Sequence, residues 1–353
     1  MKMLMKTPDA AAFIGITTTL TAASLVVVAL RFYNRLRVKQ AIFIDDWLMV
    51  PCIVMIIGLL AIVGHGVATQ ALGYPSPLMQ LQTQGLKPRG SDRSAIAQIV
   101  DLLSLTAKLE YSFICIVVPL LGLIKISVLA FYRRLFVIEK SNARDARNLI
   151  VTISMVFVAL WAITFDLAFI WMCKGDFNAA FGPPAEVAEK CIDAPLLAYI
   201  FSISDFITDA LIILIPIPFV WKLQLSVQKK LAVTSIFLLG IFASIASLIR
   251  LIWSVWSREV GFDPSLDGEL ITTSLLFWFV VEANVGIIAA CLPAVRGLFT
   301  NERFGIFFSG IRSKWSSYTD SKSPNSKEYE QFDSETDSHS YALKEIWIRD
   351  SAV

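Results

Sequence analysis

The sequence predicts an all-α membrane protein of seven transmembrane helices, N-terminus outside and C-terminus cytoplasmic. Three observations carry this. The first is composition: 56% of the 353 residues are hydrophobic and 17% are charged, against about 25% charged in a soluble domain. The second is the gathering of the apolar residues into seven blocks. Each is about long enough to cross ~30 Å of hydrocarbon at ~1.5 Å per residue. The third is the uneven distribution of Lys and Arg among the connecting loops.

The blocks follow in order. Ala10–Leu30 is the first, closed by Arg31; it is too long for a signal-peptide core and lacks a small-residue cleavage site, so it reads as an uncleaved helix. Trp47–Thr69 is the second. Ala71–Lys108 reads as a long polar connection, with an amphipathic helix from Arg93 onward. The remaining blocks are Leu109–Phe131, Leu149–Met172, Pro195–Trp221, Leu231–Trp253 and Leu270–Pro293. The fifth closes with Pro216, Pro218, Trp221 and Lys222, an aromatic and basic boundary. No internal repeat is visible, which argues against an inverted-repeat transporter. The chain thus divides into a short outer segment, 1–9, a membrane domain, 10–299, and a tail, 300–353.

Orientation follows from the loops. Loops one, three and five and the segment after the seventh block hold 16 Lys and Arg; the N-terminus and loops two, four and six hold 9. The basic side is cytoplasmic. The basic residues of loop two are discordant with this assignment. The tail contains SKSPNSKEYEQFDSETDSHSY, too polar to bury a core, and is expected to be disordered. Leu343, Ile346, Trp347 and Ile348 beyond it read either as a docking motif or as residual membrane contact.

Ionisable residues inside apolar blocks are expensive and mark function or pairing. Those identified are Lys125, Asp166, Asp205, Asp209, Arg250 and Glu282. Asp205 and Asp209 are spaced i,i+4 and share one helix face. Counting from the helix ends places Asp205 and Glu282 near mid-membrane. Lys125 and Asp209 then fall slightly deeper toward the cytoplasm, and Arg250 near the outer end of helix six. The cheapest arrangement pairs Lys125 with Asp209, and Arg250 with Asp205 or Glu282. With Asn284, these residues read as a purely structural polar core, as a ligand pocket or switch, or as a site holding a catalytic acid; the first two are the leading readings, and no residue is assigned as catalytic.

Five cysteines and two histidines, with no CxxC, HxxxH or HExxH spacing, leave no metal site to assign. Cys173 and Cys191 flank outer loop four and are expected to pair as a disulfide if that side is oxidising; free thiols are the alternative. Cys52, Cys115 and Cys291 read as packing residues. His65 reads as a boundary residue or as the lining of an outer vestibule. The net charge of +2 gives no argument for nucleic acid.

Several stretches together resemble a known family. They are Asp45-Asp46-Trp47, Lys125 through Arg134, Cys191-Ile192, Ser204-Asp205-Phe206, and Pro216-Ile217-Pro218 with Trp221 to Gln224. Further on come Gln228-Lys229, Ile236 to Gly240, Ser247 to Arg250, Glu282-Ala283-Asn284 and Cys291-Leu292-Pro293. Their order across the helices resembles the fungal rhodopsin-domain integral membrane proteins, which include receptor-like and satratoxin-cluster members. The resemblance covers about Asp9 to Phe299 and implies seven helices and a fungal origin.

Retinal attached as a Schiff base needs a lysine in helix seven, and Leu270–Pro293 has none, so no cofactor is expected. The leading reading is a receptor-like protein sensing a small apolar ligand. The second is an enzyme or accessory component of a secondary-metabolite pathway, with Asp205 and Asp209 as acids. A transporter is the third. Expected partners are the lipid bilayer, a small-molecule ligand, and a cytoplasmic signalling protein at loops three and five and the tail. The location is a multi-pass protein of the plasma membrane or an endomembrane. An epitope tag placed after Val353 should react with antibody only after permeabilisation; labelling of intact cells would reverse the orientation.

Overall fold

The computed structural model describes residues 9–39, 41–76, 93–137, 146–181, 187, 189–217, 227–260 and 267–299. Among them, seven helices are long and apolar enough to cross a membrane, and there are no strands. In hydrocarbon a helix satisfies every backbone group within itself, which is why apolar blocks of this length adopt it. The helices are α1 (Ala10–Arg37), α2 (Met49–Ala68), α3 (Arg93–Val137), α4 (Ala146–Ile170), α5 (Ala194–Leu214), α6 (Val227–Val260) and α7 (Gly268–Phe299). A helical turn, Ile44–Trp47, leads into α2, and a second, Phe177–Ala180, follows α4. These elements, up to Arg296, belong to one compact unit. The expected disordered tail and the residues Pro218, Trp221, Lys222 and Gln224 lie outside the described residues.

Local chemistry sets the helix ends. Asp193 caps α5 by accepting a hydrogen bond from the Leu196 amide at 3.1 Å, with Pro195 in the first turn. The regular helix ends at Leu214, short of the expected Trp221, because Pro216 has no amide to donate and disfavours helical geometry before it. The helix expected from Arg93 within the connection Ala71–Lys108 is present, but it is not separate: it is the beginning of α3, continuous with the third span and running through Pro119. α6 reaches Val260, about two turns beyond the expected Trp253.

α3 and α7 form the centre of the bundle. In each, 56% of the most apolar window is buried, against 22–33% in the other spans. Close approach depends on two glycines. A Cβ at Gly122 of α3 would stand 2.5 Å from the Ala162 side chain of α4, and one at Gly286 of α7 would stand 2.9 Å from Ile124 of α3. Small residues admit such contacts where no hydrophobic force drives helices together. The outer stripe of α4 runs Leu149, Ile153, Phe157, Leu160, Ile163 and Leu167, all exposed at helical spacing, and continues to the exposed Trp171 just past its end. An apolar surface of that extent belongs in lipid.

Cys173 and Cys191 form a disulfide that ties the end of α4 to the approach to α5. The Ile192 amide donates to the Met172 carbonyl beside it at 2.9 Å. Closing this loop is worth roughly 3 kcal/mol in the chain-entropy picture. The three free cysteines, Cys52, Cys115 and Cys291, are buried or half-buried in helices.

Candidate functional site

α3, α5, α6 and α7 each send charged side chains to one buried point. Lys125 of α3 donates to Asp205 Oδ1 at 2.7 Å, to the Asp205 carbonyl at 3.0 Å and to Thr208 Oγ1 at 2.7 Å. Its ammonium also pairs with Asp209 Oδ1 at 2.9 Å. Arg250 of α6 donates through Nη2 to Asp205 Oδ2 and through Nη1 to Glu282 Oε2 of α7. Lys125, Asp205, Arg250 and Glu282 are all buried, and the Asp209 side chain is 11% exposed. The i,i+4 spacing of the two aspartates lets both face one ammonium.

Aromatic rings close over the charges. The Lys125 ammonium lies 4.9 Å from the centre of the Trp161 ring, and the Arg250 guanidinium 4.1 Å from Phe279 and 5.7 Å from Phe201. Trp161 stacks on Phe201 at 5.3 Å, and Phe165 and Phe169 pack edge-on against the same ring. Each cation therefore lies near both an aromatic face and carboxylates, an arrangement that strengthens as water is excluded.

The geometry differs from the expected pairing in three ways. Lys125 does pair with Asp209, and Arg250 meets both candidate acids. Asp205, however, is shared by the two bases, so two separate pairs become one network. Arg250 is not at the end of its helix, because α6 continues past it to Val260. Asn284 lies apart. Two positions from Glu282 is about 200° around a helix. Asn284 therefore faces α1, where Ser24 Oγ donates to its Oδ1 at 2.8 Å. Asp166 is on α4, beside Tyr111 and Cys115 of α3. His65 is an exposed residue near the end of α2.

A second buried cluster went unread in the sequence. Arg31 of α1 is 1% exposed. It donates to Asp45 Oδ2 at 2.6 Å, to Asp46 Oδ1 at 2.7 Å and to the Ala290 carbonyl of α7 at 2.6 Å. Arg35, one turn on, pairs with Asp46 at 3.2 Å. Arg134 of α3 lies 3.9 Å from Asp45 and 3.9 Å above the Phe43 ring. By its place at the end of an apolar run, Arg31 reads as a boundary marker. The i,i+4 arginines ahead of an adjacent acid pair were the available signal.

The fungal rhodopsin domain matches residues 30–301. The chain belongs to this family. Every residue of both charged clusters falls inside the matched region of the fungal rhodopsin domain. Three relatives indicate the range of the family. The chain is 28% identical over 321 residues to "Polyenoic acids biosynthesis gene cluster protein Ba17b" of Metarhizium anisopliae, covering 86% of this chain and 76% of that protein. It is 30% identical over 200 residues to a "SAT4 family membrane protein" of Emericella nidulans, 55% of this chain and 46% of that one. It is 30% identical over 190 residues to "Receptor GIN3" of Arthrobotrys oligospora, 53% and 43% respectively. The chain thus spans less than half the length of the latter two. No solved structure matches it significantly.

The network ranks its members. An asparagine at position 205 must turn its amide toward one of two cations, whichever way it flips, whereas one at 209 can aim its amide away from Lys125. Asp205→Asn should lower the stability of the purified protein by about 3–5 kcal/mol, the usual cost of breaking a buried pair. Asp209→Asn should cost under about 1 kcal/mol. Thermal melts in detergent measure both, and equal losses would remove Asp205 from the centre of the network.

Proposed function

We propose that this fungal rhodopsin-domain protein is a receptor-like sensor of a small apolar ligand. The observation that carries the reading is the ion network that joins α3, α5, α6 and α7 through the shared Asp205 carboxylate. Any ligand that displaced one of these helices would have to rearrange charges on all four, so a local event becomes a change of the whole bundle. The rings of Trp161, Phe201 and Phe279 lie directly against the cations. An apolar molecule wedged among them would act on the network without bringing charge into the membrane. The relative named as a receptor supports the same reading. Output would pass through a cytoplasmic partner at the basic loops three and five and the tail. Lys125 is held by two carboxylates, and α7 carries no lysine, so this sensor would work without a retinal Schiff base.

A second reading is favoured by a different observation: the relative that matches 86% of the chain takes its name from a biosynthesis gene cluster. The protein would then be an enzyme or accessory component of a secondary-metabolite pathway. Deleting the gene separates the two. A sensor's loss should abolish the transcriptional response to an added apolar metabolite while pathway intermediates stay at their normal level. The same compound should raise the melting temperature of the purified protein. An accumulating intermediate with the response intact would overturn the sensor reading.

A further inference from the structure

The network contains two cations and three carboxylates. With every group ionised it carries one surplus negative charge, buried in the bundle. An ionised carboxylate left unneutralised there is costly on the scale of a protein's whole stability. Two atoms locate the deficit: among the described residues, Asp209 Oδ2 and Glu282 Oε1 are buried and accept no hydrogen bond, although the Ser247 hydroxyl of α6 lies near Asp209. Glu282 is only 3% exposed, and its carboxylate faces the aspartates. One oxygen from each of Asp205, Asp209 and Glu282 lies within 4.8 Å of the other two. A hard cation with oxygen ligands at about 2.3–2.6 Å bridges such a spacing.

We propose that Asp205, Asp209 and Glu282 form a binding site for one exchangeable monovalent cation, a sodium ion or a proton. The shared chemistry is a single positive charge. A divalent ion would replace a surplus of minus one with a surplus of plus one, so charge balance selects against it. Among the described residues, the charged groups facing the site are Lys125 from α3, Arg250 from α6 and the three acids themselves, with the neutral hydroxyls of Thr208 and Ser247 beside them. α4 contributes the neutral ring of Trp161. Lys125 and Arg250 hold one oxygen of Asp209 and one of Glu282, leaving Asp209 Oδ2 and Glu282 Oε1 for the added charge. Occupancy of the site would set the charge state of the same network that joins the four helices. The inference does not rest on ligand sensing: cation binding is measured on purified protein, so its failure leaves the sensor reading standing, and the reverse.

The test uses the full chain in detergent, melted between pH 6 and 9 with NaCl exchanged for N-methylglucamine chloride at constant ionic strength. Glu282→Gln and Asp209→Asn each remove the surplus charge and keep an oxygen for Arg250 or Lys125. If the ion is sodium, a tenfold excess over half-saturation should raise the wild-type melting temperature by about 3 °C. If it is a proton, melting should fall as pH rises and ignore sodium. In either case both variants should lose the response. A wild-type protein indifferent to both ions, variants that respond as the wild type does, or stabilisation by calcium alone would overturn the proposal.

Discussion

An ionised carboxylate inside a bilayer persists only where opposite charge meets it, and Asp205 is met twice. Its two oxygens bind different cations from different helices, Lys125 of α3 and Arg250 of α6. Neither base is satisfied by Asp205 alone: Lys125 also holds Asp209, and Arg250 also holds Glu282. The relative positions of α3, α5, α6 and α7 thus hang on one carboxylate. A buried salt bridge is not by itself a gain over well-packed apolar side chains. Its consequence is specificity, because few packings of four helices bring these five groups to one point.

The second cluster does similar work elsewhere in the bundle. Arg31 connects α1, the turn before α2, and the backbone of α7, while Arg134 brings in α3. α3 and α7, the most buried spans, take part in both clusters. A displacement of either helix is therefore registered in two charged networks, separated along the chain of α3 by Lys125 to Arg134. That coupling is the physical content of the proposed sensor, since a bundle held by discrete ion pairs has discrete alternative states rather than a continuum.

Much of this was legible in the residues. Seven apolar blocks are a strong signal because hydrocarbon leaves the backbone no alternative to a helix. The individual ionisable residues stood out for the same reason. Helix ends were harder: the helix from Arg93 runs unbroken into the third span and α6 continues to Val260, because a helix extends past the lipid wherever its backbone remains paired, and hydropathy does not report that. The error propagated, since placing the end of α6 at Trp253 put Arg250 too near the surface. Pair identity was only partly readable, because depth matching cannot distinguish two pairs from a shared acid. Arg31 was missed because an arginine after an apolar run ordinarily marks the interface. Here two aspartates fold back to bury it.

The central claim is that the charges form one network rather than two pairs, and Lys125 and Arg250 test it because they share only Asp205. Lys125→Met, Arg250→Met and the double mutant form a cycle measured by thermal stability of the purified protein. A shared acid predicts that the double mutant loses more than the sum of the singles, by at least about 1 kcal/mol, because only then is Asp205 left without a cation. Losses that add to within about 0.5 kcal/mol would mean two independent pairs and would contradict the account.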